Sequence, residues 1–282
     1  MVPGHEIVGR VINVGNHVKK FKAGDLAAVG CLVDSCRQCD NCKEGLEQYC
    51  LKGWTLTYNS LDKDGKTPTF GGYSSQIVVH EDFTLRISDK LPLEKVAPLL
   101  CAGITTYSPL RQWKVGKGQK VGVVGLGGLG HRAVKFAASF GAEVTMLSRS
   151  PSKEADANKL GAHNFILTTN EEAVKSVAGY FDFILDTVAV DHDYNMYINM
   201  LKPKGIMVCV GIPTVPIQVS PLGVIFYGRA VVGSLIGGLP KTQEMLDYCA
   251  DNNITAEVEI INMKDINECY ERLLKGMYVT GL

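Results

Sequence analysis

The run K-V-G-V-V at 120–124 passes without a break into G-L-G-G-L-G at 125–130 and on into H-R-A-V-K-F-A-A-S-F at 131–140. A short valine-rich run bounded by glycine suits a buried strand. In the segment after it, Leu129, Ala133, Phe136, Ala137 and Phe140 fall at i, i+4, i+7, i+8 and i+11, which is one face of a helix. Strand, glycine bend and helix in that order make the first half of a βαβ unit. The bend has G-x-G-x-x-G spacing: Gly125 permits the tight turn, Gly127 lets a pyrophosphate approach the backbone, and Gly130 lets helix and strand pack closely. Leu126, Gly128 and Leu129 complete a candidate cofactor loop. Alone the motif is weak evidence, and a merely structural turn is the alternative. The elements on both sides favour a dinucleotide.

Downstream, apolar runs at Val144–Leu147, Phe181–Leu185 and Ile206–Val210 alternate with amphipathic segments, which predicts a parallel sheet. The second strand ends in Ser148-Arg149-Ser150, where an NAD site would place an Asp or Glu for the adenosine ribose. Arg149 can pair with a 2′-phosphate, the flanking serines can donate to it, and Lys153 adds a second positive charge. NADP is therefore expected. Glu143 begins that strand and so sits at the wrong end of the sheet.

Upstream, residues 1 to about 90 read as short strands and turns, with alternation over Ile7–Val14, Leu26–Val29 and Tyr73–Val79. After Gly237-Gly238 the pattern predicts a helix over Lys241–Asn252, a strand over Ala256–Ile261 and a helix over Ile266–Lys275. Within residues 1 to about 90 lies C-R-Q-C-D-N-C-K-E-G-L-E-Q-Y-C, with thiols at Cys36, Cys39, Cys42 and Cys50. Four soft donors at chelating spacing, on a loop too polar to form a core, suit a closed tetrahedral zinc site. Cys31, Cys209, Cys249 and Cys269 stand apart and are read as packing residues.

Composition narrows the classes. With 29 basic and 29 acidic residues the net charge is zero, so no overall field draws the chain to nucleic acid or an anionic membrane. A zinc-ribbon nucleic-acid module is disfavoured because residues 31–50 carry two basic side chains against four acidic ones. No apolar run reaches the roughly 18 residues of a membrane span, and no export signal opens the chain. Nine cysteines without an export signal suggest reduced thiols and a cytoplasmic protein.

Taken with V-P-G-H-E-I-V-G at 2–9, T-Y-N at 57–59, G-G-Y at 71–73, A-P-L-L-C-A-G-I-T-T-Y at 97–107 and G-S-L-I-G-G at 233–238, the chain resembles the zinc-dependent medium-chain alcohol dehydrogenases, in their cinnamyl-alcohol-dehydrogenase-like branch. The resemblance implies an α/β protein: a GroES-like β-rich catalytic domain over 1–95, a Rossmann doubly wound parallel sheet over 96–237, and a return to the catalytic domain over 238–282. It implies nicotinamide binding between the two domains, a small-molecule aldehyde or alcohol substrate, and a homodimer. Carried over by position, His5 and Cys101 are ligands of a catalytic zinc, with Glu6 as the adjacent carboxylate. Thr105, Thr187, Gly211, Ser234, Leu235 and Ile236 line the nicotinamide and ribose pocket.

Three departures qualify this. The family's first catalytic-zinc cysteine and its proton relay lie upstream of Met1, so an incomplete catalytic domain and weak catalytic metal are expected, with apolar surface uncovered. The family's closing basic-aromatic strand is not matched after Leu274-Lys275-Gly276. The aromatic residue that lignin-type members carry before T-Y-N is Leu56 here, which leaves the substrate open. The rival readings are a non-catalytic remnant that keeps structural zinc and NADP binding, and a zinc-free quinone reductase, for which the quartet would have no use.

Overall fold

The computed structural model describes residues 1–275, and the closing M-Y-V-T-G-L, with the end of the 238–282 segment, lies outside them. The chain divides into two compact units, one formed by Met1–Ile104 together with the described residues from Ile236 onward, the other by Thr105–Leu235.

In the first unit β1 (Ile7–Arg10) pairs antiparallel with β2 (Leu26–Val29). A small ribbon is made by β3 (Leu32–Asp34) and β4 (Thr55–Leu56), and β5 (Leu85–Arg86) joins the other edge of β2. Ala28, Val29, Leu32 and Leu85 are buried, as half-covered antiparallel strands require. The cysteine loop carries one short helix, α1 (Asp40–Lys43).

Two predicted strands do not form. Over Tyr73–Val79 the alternation is present, yet no ladder forms and Val78 is fully exposed. Only the start of this segment is tied down, Gly71, Gly72 and Tyr73 donating to the carbonyls of Val2, Gly4 and Pro3. A strand exists only against a partner, and none of the described residues offers one. Over Ala256–Ile261 no strand forms, although Ala256 is buried and its N–H donates to Lys95 O at 3.3 Å. The flanking helices, Leu239–Asn252 and Ile266–Leu274, form where expected.

The second unit opens with α2 (Ala102–Gln112), which begins within the first, and holds six strands: β6 (Lys120–Val124), β7 (Glu143–Ser148), β8 (Asn164–Leu167), β9 (Phe181–Asp186), β10 (Leu201–Cys209) and β11 (Ala230–Gly233). All pair parallel in the order β11-β10-β9-β6-β7-β8. The chain therefore winds outward from β6 in one direction and returns to wind in the other. The reversal lies between β6 and β9, and ligands of such sheets bind beyond the carboxyl ends of the strands at that point. Parallel strands are covered on both faces, and β6, β7 and β9 are accordingly buried along almost their whole length. Val124, Leu147, Phe181, Ile184 and Met207 pack with Tyr194, Tyr197 and Ile198 of the helix Tyr194–Met200. Each such side chain contributes about 1.5–3 kcal/mol when fully buried.

The helix after the glycine bend, α3 (Gly128–Ser139), is buried on more than the single face the periodicity marks, since His131, Arg132 and Val134 are covered as well as Ala133, Phe136 and Ala137. On the face the periodicity marks, Tyr107 of α2 meets Phe136 edge-on at 5.2 Å between ring centroids and Phe140 at 5.7 Å. No helix among the described residues is long and apolar enough to cross a membrane.

Candidate functional site

At the end of β6 the backbone turns sharply at Gly125, whose φ of +83° is left-handed and favours glycine. Its N–H donates to Leu147 O at 3.0 Å, tying the bend to β7. A Cβ on Gly130 would stand 1.8 Å from the carbonyl oxygen of Gly125, so only glycine lets α3 approach the strand this closely. Gly127 caps α3 with no side-chain hydrogen bond, and a Cβ there would meet nothing within 4 Å. No side-chain cap claims the first-turn N–H groups of this twelve-residue helix, which fits a pyrophosphate.

One strand over, β7 ends in the side chains expected to distinguish the coenzymes. Ser148 is buried and its hydroxyl accepts from Ser150 N–H at 3.2 Å. Ser150 Oγ lies 2.9 Å from Ser152 Oγ. Arg149 is exposed and makes no ion pair among the described residues, and Lys153 closes the 3-10 turn Pro151–Lys153 just beyond. Val124 pairs with Leu147, so Ser148-Arg149 lies at the level of the glycine bend. Glu143 sits at the other end of the strand, held by the Tyr180 hydroxyl at 2.8 Å and the Asn164 amide at 3.2 Å. No acidic side chain replaces it at the carboxyl end of β7, so a phosphate there would meet two cations.

The ends of β9, β10 and β11 continue the same edge. Thr187 follows β9 and donates its hydroxyl to Val124 O at 2.7 Å; Val210 N–H and Gly211 N–H both donate to Asp186 O; Ser234 N–H donates to Cys209 O at 3.2 Å. Thr187, Gly211 and Ser234 are thus brought together along the carboxyl edge of the sheet. Asp186, 1% exposed, accepts from Val188 N–H and lies 3.1 Å from Nε2 of His192, which stacks on Tyr194 at 4.2 Å. This pairing, which the sequence did not mark, shapes the loop after β9. Burial pushes the Asp186 carboxyl above its ordinary range. Thr105 is buried in α2, Leu235 is exposed, and Ile236 is buried at φ +33°, a costly conformation for a β-branched residue.

In the first unit the quartet is assembled. The ligand atoms of Cys36, Cys39, Cys42 and Cys50 all lie within 4.8 Å of one another, and Cys36 Sγ is 3.9 Å from Cys42 Sγ. A tetrahedron with zinc–sulfur bonds of about 2.3 Å has edges of about 3.8 Å, so the cage fits zinc. Backbone N–H groups of Gln38 and Cys39 pointed at Cys36 hold its thiol down, to about 6. Those of Leu51 and Cys42 lower Cys39 in the same way. Cys42 and Cys50 are buried.

A second cluster joins His5, Cys31 and Cys101, again with all ligand atoms within 4.8 Å. His5 precedes β1, Cys31 lies between β2 and β3, and Cys101 stands at the junction of the 3-10 turn Ala97–Leu100 and α2. His5 is hydrogen-bonded to Cys101, which raises the imidazole above its ordinary value, and its ring stacks on Tyr58 at 5.9 Å. Cys101 is bonded to Cys31 as well, and that bond together with burial pushes the Cys31 thiol far up. Glu6 is outside the set of mutually close donors, and its charge favours the protonated forms of His5 and Cys31. Tyr73, raised to about 12 by burial and by its 3.2 Å contact with the Tyr270 hydroxyl, completes the surroundings. One imidazole and two thiolates satisfy the needs of zinc while leaving a fourth position open.

Cys31 was read from sequence as packing, and the structure corrects this: its neighbours are an imidazole, a thiol and a carboxylate. The signal lay in strand pairing. In the β1–β2 ladder Ile7 faces Val29 and Val8 faces Ala28. His5 and Cys31 each lie two residues beyond the paired end of that ladder, at a bend of the chain.

These features are those of a zinc-binding dehydrogenase, with a glycine-bend nucleotide fold in one unit and two thiol-rich clusters that could hold a metal in the other. Residues 1–89 match the alcohol dehydrogenase GroES-like domain and residues 128–251 the zinc-binding dehydrogenase domain. An NADP-dependent alcohol dehydrogenase C 1 of Mycolicibacterium smegmatis is 54% identical over 275 residues, covering 97% of this chain and 78% of that protein. Among solved structures, a cinnamyl alcohol dehydrogenase of Sorghum bicolor superposes with a TM-score of 0.95 at 44% identity, over 98% of this chain and 79% of that one. The cinnamyl alcohol dehydrogenase of Helicobacter pylori complexed with NADP(H) gives 0.91 at 45%, over 99% and 80%. The chain belongs to the zinc-dependent alcohol dehydrogenases, in the cinnamyl-alcohol-dehydrogenase-like branch.

Proposed function

We propose that the protein transfers a hydride between NADP(H) and a primary alcohol/aldehyde pair. The observation that carries the reading is the meeting of His5 and Cys101, from distant parts of the sequence, in a metal-ligating cluster. In the other unit Gly125–Gly130 would receive the pyrophosphate on the N-terminus of α3, and Arg149, Ser148, Ser150 and Lys153 the 2′-phosphate. Thr187, Gly211 and Ser234 would hold the nicotinamide ribose end, with Thr105, Leu235 and Ile236 completing the pocket. When bound, zinc supplies Lewis acidity toward a carbonyl oxygen and the coenzyme supplies the hydride. His5 and Cys101 would fix the metal, with Tyr58 stacked on the imidazole holding its orientation. Glu6 keeps a negative charge beside the cluster and can approach it. A non-catalytic remnant would have no use for that cluster.

We further assign a cytoplasmic protein and a homodimer. All nine cysteines are free thiols, which suits a reducing compartment, and β11 has a neighbour on one side only, which leaves an edge for a second copy.

Arg149→Asp tests the coenzyme half directly. Removing a charge-assisted bond worth about 1.5–3 kcal/mol and placing a carboxylate against the phosphate should cut the NADPH-over-NADH ratio of kcat/KM by about a hundredfold or more. The effect should fall on NADPH, with NADH turnover held or raised. An unchanged ratio would remove the assignment of NADP to this strand end.

A further inference from the structure

We propose that Asp186 and His192 are a positioning pair that holds one proton between them and fixes the backbone of Thr187, Val188 and Gly211 for the coenzyme, so that NADP(H) affinity depends on the bond joining the two side chains. The inference rests on the functional reading above and deepens it. Asp186 ends β9, at the carboxyl edge of the sheet and beside the point where the strand order reverses. Neither residue belongs to the glycine bend or to the phosphate end at 148–153.

Asp186 ties three parts of this edge together. Its backbone carbonyl accepts from Val210 N–H at 2.9 Å and Gly211 N–H at 3.3 Å, one carboxyl oxygen accepts from Val188 N–H at 3.1 Å, and the other lies 3.1 Å from His192 Nε2. Val188 is wedged in turn. A Cβ on Gly211 would stand 2.1 Å from the Val188 carbonyl oxygen, and one on Gly125 would stand 2.8 Å from its Cγ2. Beside it the Thr187 hydroxyl is tied to Val124 O and, at 3.2 Å, to Gly125 O. Movement of Asp186 therefore displaces the backbone next to both Gly125 and Gly211. The position of His192 sets that of Asp186, and a proton sets the bond. Nδ1 of His192 lies 2.8 Å from Val190 O, which only accepts, so Nδ1 carries a hydrogen and Nε2 of the neutral ring is bare. The 3.1 Å bond to Asp186 then requires one further proton, on the carboxyl or on the imidazole. Without it a buried carboxylate faces a nitrogen lone pair. Stacking on Tyr194 at 4.2 Å and an edge contact with Tyr197 at 5.7 Å hold the ring in this orientation. Burial pushes Tyr194 and, on β10, Cys209 up to about 12 and raises Tyr197, so these neighbours stay neutral near neutral pH. Arg149, at the end of β7, acts on Tyr197, and β6 presents the uncharged Val124. Asp191 and Asp193 flank His192 on its own loop, where Asp193 accepts from the N–H groups of Asn195 and Met196. Burial also raises the Asp186 carboxyl, so the shared proton and the order it confers are present at lower pH and lost as pH rises.

The test measures NADPH binding to the full chain by fluorescence from mildly acidic to mildly alkaline pH, with steady-state kinetics and thermal melting of each variant beside it. His192→Ala should weaken NADPH binding by about tenfold to a hundredfold, the usual loss when a buried acceptor is left without its partner. The loss should fall on KM for NADPH rather than on kcat, as for an interaction made equally in the ground and transition states. His192→Gln, whose amide nitrogen takes the place of Nε2, should restore most of the affinity. His192→Asn, whose amide nitrogen takes the place of Nδ1, should not. Wild-type affinity should fall as pH rises, and His192→Gln, which donates at any pH, should flatten that profile. Wild-type affinity in His192→Ala, or a His192→Gln protein as weak as His192→Asn, would overturn the inference, and the second comparison decides even where the alanine variant does not fold. NADPH binding that ignores every change at His192 would leave the functional reading standing without this pair. A wild-type chain that binds no NADPH would refute both.

Discussion

His5→Ala is expected to lower kcat/KM for aldehyde reduction by about a thousandfold or more, equivalent to about 4 kcal/mol of transition-state stabilisation. The argument is local. His5 is hydrogen-bonded to Cys101 and stacked on Tyr58, and the cluster holds no second imidazole to replace its nitrogen. Its loss leaves thiols and a nearby carboxylate, a poorer zinc site, and Lewis-acid assistance is worth several kcal/mol at a carbonyl. NADPH affinity should change little, because the glycine bend and Ser148, Arg149, Ser150 and Lys153 belong to the other unit. Bound zinc should fall by one equivalent while the quartet ion remains. Parallel measurement of turnover, NADPH binding and zinc content separates this outcome from general unfolding, which would remove all three. Unaltered kcat/KM would show that the His5 cluster takes no part in the reaction.

Cys42→Ser is expected to have the largest structural effect. The loop around it holds only a four-residue helix, Asp40–Lys43, and a three-residue 3-10 turn, Glu47–Tyr49, both too short to persist alone. Its order therefore depends on the metal, and structural zinc in finger peptides supplies roughly 10–16 kcal/mol of apparent binding free energy at neutral pH. Cys42 is one of the two buried members of the quartet, and burial pushes its thiol up to about 12 in the absence of metal. Zinc content should drop by one equivalent, and limited proteolysis should cut first between Asp34 and Leu51. The loop is also anchored by Glu47, which accepts from Leu239 N–H at 2.9 Å, so its collapse should loosen the start of the helix Leu239–Asn252 and lower Tm. Full zinc retention with an unaltered digestion pattern would contradict a structural role.

What could be read in advance follows from the range of each interaction. The glycine bend, the strand before it, the helix after it and the quartet are encoded within single short windows, and the structure forms all of them there. β7 extends one residue beyond its run at each end and β9 one residue at its carboxyl end, because a parallel ladder continues as long as its neighbour does. β8 and β11 carry only four residues each, with one paired edge, and gave no signal strong enough to stand out. β10 begins early, at Leu201, across an irregular step with Lys204 at φ +65° that hides it in a K-P-K-G stretch. The segments Tyr73–Val79 and Ala256–Ile261 erred in the opposite direction: alternation sets which side chains share a face, while a ladder needs a second chain to bond. Cys31 escaped notice for a related reason, since its company is chosen by the register of β1 against β2 and by the Leu100 carbonyl, both remote in sequence. Asp186 and His192 are close in sequence, but their pairing depends on how the loop after β9 folds back over Tyr194.

The most direct test is the initial rate of NADPH oxidation by the zinc-replete protein in the presence and absence of a primary aldehyde, with NADH as the comparison. The account predicts aldehyde-dependent turnover with NADPH preferred by at least about tenfold, a margin of about 1.4 kcal/mol. Oxidation of neither coenzyme, or a preference for NADH, would contradict it.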